Sequence, residues 1–83
     1  LIADVFPDAE FQTEAAKVLE TIANQPTAAI ALTKKAFNES YGNSLEAQLE
    51  LEGVYQQQAT ETEDFREGIQ AFLEKRKPVY KGK

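Results

Sequence analysis

Phe11, Ala15, Val18, Leu19, Ile22 and Ala23 recur at three- and four-residue spacing, which puts them on one face of an amphipathic helix over about residues 9–24. Pro7 breaks the short extended segment before it, and Asp8 offers a side chain for the N-cap. Pro26 ends this helix and suits the first turn of a second, where its missing N–H costs nothing. The second helix, about 26–41, carries Ala29, Ile30, Thr33, Ala36, Phe37 and Tyr41 on its inner side, and Gly42 is expected to close it in a left-handed conformation. Ser44 can cap a third helix, about 45–59, whose face of Leu45, Leu49, Glu52, Tyr55 and Gln56 is only partly apolar, as in a helix that buries itself against another chain or domain. Thr62 is the expected cap of a fourth, about 63–76, with Glu63 and Asp64 at the positive end of its dipole. Phe65, Ile69, Phe72, Leu73 and Arg76 form its stripe until Pro78 stops it, and Phe72 is expected to be at least partly buried. The pattern predicts an all-α fold, about four amphipathic helices after a short extended N-terminal segment. Gly68 interrupts the last helix, and its small size suggests the close approach of another helix.

Composition narrows the chemistry. The chain has 83 residues, enough for one small domain at most, and much of its 42% hydrophobic content is alanine, so its core is expected to be thin. It has no cysteine and no histidine, which removes disulfides, thiolate metal sites, the usual zinc ligands and the commonest general base. No metal site is therefore expected. "PTAAIALT" is far short of the roughly 20 apolar residues a membrane span needs, and "LIADVF" lacks the features of a signal peptide. These features lead to an expected cytoplasmic location without a membrane partner. A net charge of -5 argues against nucleic acid as the main partner. The carboxylates are spread over helix faces with no evident means of shifting their pKa values, so no catalytic residue is expected in the chain.

The charge is not evenly distributed. Lys75, Arg76, Lys77, Lys81 and Lys83 are five of the nine cations, and the last nine residues contain none of the fourteen carboxylates. Cations in the last turn of a helix are favoured by its negative end, which explains such a cluster without any ligand. Phe72 and Lys75, three residues apart, are also neighbours on one helix surface, and a ring beside an ammonium group makes half a nucleotide site. Both readings fit the spacing.

The order of several segments adds a resemblance. "EGIQAFLEKRKPVYKGK", preceded by "IANQPTAAIALTKKAFN" and "LIADVFP", resembles the C-terminal region of the enoyl-CoA hydratase/isomerase, or crotonase, family over essentially all of the chain. "SLEAQLELEGVYQQQ" and "DFREGIQAFLEKRKPVYKGK" look closest to the ring-epoxide isomerases of phenylacetate degradation. The resemblance implies the C-terminal helical region of a crotonase-type fold over residues 1–83, with the catalytic spiral core preceding Leu1 and absent from this sequence. It also implies a coenzyme A thioester as the parent enzyme's substrate, no covalently bound cofactor, and a homo-oligomer, trimer or hexamer. Phe72 would lie against adenine and Lys75 would contact CoA phosphate, while Arg76 would pair with an internal carboxylate, Glu52 being the candidate. A different class of function stays open: a free-standing helical interaction module with a basic C-terminal tail, suggested by the thin core and the half-apolar third helix.

Overall fold

Two of the expected helix starts form as their side chains require. In the computed structural model, which describes residues 2–83, Ser44 Oγ accepts from the Ala47 N–H at 3.2 Å and Thr62 Oγ1 from the Phe65 N–H at 3.1 Å. They open α3 (Leu45–Thr60) and α4 (Glu63–Glu74), which follow α1 (Phe11–Ala23) and α2 (Thr27–Ser40). The described residues contain no strand, so the fold is all-α as expected. Residues 2–7 take no regular secondary structure, and Leu1, part of the expected extended start, lies outside the described residues.

Other termini differ from the sequence expectation. Asp8 does not cap α1. The chain turns first, with the Glu10 N–H on the Pro7 carbonyl at 2.9 Å, and the helix starts at Phe11. Pro26 occupies the N-cap of α2 rather than its first turn. Gly42 is not left-handed: the positive-φ residues among those described are Lys75 and Gly82. Gln48 helps to close this corner instead, its amide donating to the Ala36 carbonyl at 3.1 Å and accepting from Asn43 at 3.1 Å. Finally, α4 stops at Glu74, so Lys75, Arg76 and Lys77 lie beyond the helix rather than on its last turn.

Packing is concentrated between α2 and α3, with α3 touching α4 more lightly. Tyr55 of α3 is buried in that seam, donating its hydroxyl to Glu39 Oε2 of α2 at 2.7 Å beneath the Lys35 ammonium, 5.3 Å from the ring centroid. The bond to Glu39 is the main reason the Tyr55 pKa is raised, with burial second. Among the described residues only Tyr55, Asp64 and Ala71 are buried. The expected inner faces are largely open. Phe37 and Tyr41 of α2 are exposed, and Phe72, expected to be partly buried, is 83% exposed because no element of this chain lies over it.

The outline is correspondingly spread. The radius of gyration is 16.2 Å, where about 12 Å is usual for a compact domain of this length. The accessible surface is 7027 Å², roughly 2,000 Å² more than a self-contained monomer of this mass presents.

Candidate functional site

An open trough with a volume of about 830 Å³ is floored by α3 and walled by α2 and α4. Its lining is mainly apolar, with Phe37 on one wall and Phe65, Ile69, Phe72 and Leu73 on the other. Glu52 and Tyr55 come from the floor, and Tyr80 of the C-terminal tail closes one side. The tail reaches this position by turning back along α4.

Three carboxylates guide that return. Glu67 accepts from both terminal nitrogens of Arg76, at 2.5 and 3.1 Å, and from the Val79 backbone N–H at 3.0 Å. Glu74 takes the Arg76 Nε–H at 2.6 Å. Farther along, Asp64 is only 3% exposed and accepts from the Lys81 and Gly82 N–H groups at 2.7 and 2.8 Å, while its own N–H donates to the Lys83 carbonyl at 2.9 Å. Backbone donors on a carboxylate, together with a bidentate guanidinium, are strong charge-assisted contacts. They hold Glu67 down to about pKa 2, Arg76 contributing most and the Val79 N–H next, and the same guanidinium is raised further above its ordinary range. Glu74 is lowered by the Gln70 amide first and Arg76 second.

Two glycines make room for the tail. A Cβ on Gly68 would meet the Tyr80 hydroxyl at 3.3 Å, so its close neighbour is the tail rather than the expected second helix. Gly82, at φ 79°, passes so near α2 that a Cβ would stand 2.6 Å from Thr27 Oγ1.

The predicted ligand pair falls at the junction of trough and tail. Phe72 is on the trough wall with its ring open, and Lys75 is exposed just past the helix end, its N–H on the Phe72 carbonyl at 3.2 Å. Arg76 is paired with carboxylates as expected, but with Glu67 and Glu74 in place of Glu52, which α3 holds on the trough floor. Glu67 and Tyr80 were not singled out from sequence, and Asp64 was named for the dipole of α4 rather than for the tail it holds. The interior glycine at 68 was the one signal pointing toward them. Among the described residues no three acidic side chains gather as a metal site, and no helix is long and apolar enough to cross a membrane.

Comparison with known proteins adds a lineage to this geometry. The family model described as enoyl-CoA hydratase/isomerase matches residues 1–83. The chain is 43% identical over its whole length to a probable enoyl-CoA hydratase of Rhodobacter capsulatus and 40% identical to the 1,2-epoxyphenylacetyl-CoA isomerase of Escherichia coli, covering 32% of each. Among solved structures, an enoyl-CoA hydratase of Geobacillus kaustophilus superposes with a TM-score of 0.86 at 35% identity, over 95% of this chain and 30% of that one. The enoyl-CoA hydratase of Bacillus anthracis gives 0.83 at 34%, over 95% and 31%. The chain thus spans about a third of the length of the relatives it matches.

Proposed function

The chain belongs to the enoyl-CoA hydratase/isomerase family, and on that premise we propose that it is the C-terminal helical region of an acyl-CoA hydratase or isomerase. Its role there is to make subunit contacts and to complete the pocket for the CoA moiety. The observation that carries this reading is the surplus of about 2,000 Å² of accessible surface, more than two standard interface halves of roughly 800 Å² each. A helical layer with so little core of its own is stable when other surfaces cover it, whether a catalytic core, neighbouring subunits or both.

Within that pocket Phe72 stacks on the adenine and Lys75 meets a CoA phosphate. The ring is uncovered, the ammonium-bearing residue follows within one turn, and both lie outside the polar clasp that occupies Arg76. The chemistry belongs to the rest of the parent enzyme: hydration or isomerisation through a thioester enolate requires preorganised donors at the thioester oxygen. Three of the carboxylates here have other work, Asp64 and Glu67 holding the tail and Glu39 taking the Tyr55 hydroxyl. The likeness to both a hydratase and an epoxide isomerase supports an acyl-CoA parent of either kind.

The test is a titration of the protein, at its full translated length, with CoA and with 3′-dephospho-CoA. We expect Lys75→Ala to weaken CoA roughly tenfold, the worth of a charge-assisted phosphate contact. Unchanged affinity in that variant would remove Lys75 from the site. The second reading, a free-standing interaction module, is favoured by the open apolar face of α1, where Leu19 is 67% exposed. Sedimentation of the 83-residue chain as a stable dilute monomer would count against it.

A further inference from the structure

Lys75 stands where a helix end ordinarily recruits glycine. Its φ of 55° and ψ of 41° are left-handed, and it is the one non-glycine residue in that region among those described. The Arg76 N–H reaches the Ala71 carbonyl at 3.0 Å and the Lys75 N–H reaches the Phe72 carbonyl at 3.2 Å, the paired bonds of a Schellman helix end. A Cβ is disfavoured in that conformation, whereas glycine accepts it freely. The local backbone therefore gives no reason for lysine, and something else must hold it there.

Among the described residues, the one side chain that grips both sides of the turn's exit is Glu67. It faces back from inside α4, takes the Arg76 fork with both of its oxygens, and takes the Val79 N–H on the far side of Pro78. Asp64 acts later in the chain, at Lys81 and Gly82, so it secures the tail's end rather than the turn. Glu74 adds a second contact to Arg76 but none to the chain beyond it.

We propose that Glu67 is a positioning residue: by clamping Arg76 and Val79 it keeps Lys75 in the left-handed turn just beyond α4, and so fixes where its ammonium stands relative to the end of the helix that carries Phe72. This rests on the reading of Phe72 and Lys75 as the CoA contact, and it gives a strained lysine a purpose that glycine would not serve.

Two measurements on the protein at its full translated length test it. In amide hydrogen exchange, Glu67→Ala is expected to speed exchange at the Arg76 N–H while amides inside α4 keep their rates. Adding Lys75→Gly is expected to restore protection, since glycine holds the turn unaided. Faster exchange throughout α4, or no restoration by glycine, overturns the proposal in favour of a general structural role.

In ligand titration, the native protein is expected to favour CoA over 3′-dephospho-CoA roughly tenfold. Glu67→Ala and Lys75→Ala should each bring that preference near unity, with the double variant no worse. Glu67→Gln, which keeps an acceptor for Val79, should retain part of it. If Lys75→Ala abolishes the preference and Glu67→Ala preserves it, the positioning role fails and the CoA reading stands. If the native protein shows no preference, the CoA reading fails and this proposal falls with it.

Discussion

The first helix and the last are both amphipathic, yet they are held by opposite means. Around α4 the tail returns under a buried Asp64, a bidentate Glu67–Arg76 pair and a Tyr80 seated over Gly68. Around α1 almost nothing of the kind exists: Phe11, Val18, Leu19 and Ile22 are exposed, and its ion pair, Glu14–Lys17 at 3.0 Å, lies on the surface. Hydrogen bonds can fix a turn with groups from the same short segment, because each needs a single partner at one distance. Apolar faces need area, and this chain does not contain enough of it. The difference separates what the chain positions by itself from what it offers to be covered.

The largest effect that would break this contrast is at Asp64. Replacing it with alanine leaves the Lys81 and Gly82 N–H groups without their acceptor, and we expect a loss of about 2–3 kcal/mol in denaturant unfolding with early proteolysis of the tail. A loss no greater than that of an ordinary surface substitution would mean that the tail is not secured by this residue.

Acid probes the neighbouring carboxylate. Glu67 is depressed from 4.5 to about 2, so its contribution is complete above 4.5 and is lost as pH falls toward 2. Tail docking should therefore be constant through neutral pH and weaken only below about 4.5, and Glu67→Gln should remove that acid-side dependence from a pH series of melting curves.

A smaller effect concerns α3. A Cβ on Gly53 would meet nothing within 4 Å, so Gly53→Ala is expected to stabilise the chain by about 0.5–1 kcal/mol through helix propensity alone. Loss of assembly in place of that gain would show that a partner occupies the space.

The smallest effect is expected at Phe72. Because the ring is 83% exposed, Phe72→Ala should change stability by no more than about 0.5 kcal/mol while lowering CoA affinity. A large loss of stability would mean that the ring belongs to a core after all.

These sites also mark what sequence could and could not convey. The caps at Ser44 and Thr62 were legible because donor and acceptor are three residues apart, and the all-α pattern because its period is local. The charge of the tail was legible as a count, whereas the three-residue spacing of Phe72 and Lys75 placed both on one helix surface and α4 ends between them, at Glu74. The conformation of Lys75 was not legible, since a run of cations gives no sign of a left-handed turn where glycine is missing. The attachment of the tail was invisible for another reason: its donors are backbone N–H groups 17 and 18 residues from Asp64, which every non-proline residue supplies alike. Burial failed at Phe37 and Phe72 because periodicity identifies an apolar face without saying whether this chain holds anything to cover it.

The passage of Gly82 beside Thr27 has a mechanical consequence. With little direct contact between the two walls of the trough, the tail is the strut that touches both, at Asp64 in the first turn of α4 and at Thr27 in the first turn of α2. The width of the opening is thus gauged by the last few residues, so that trimming them would let the walls splay even though every helix remained intact.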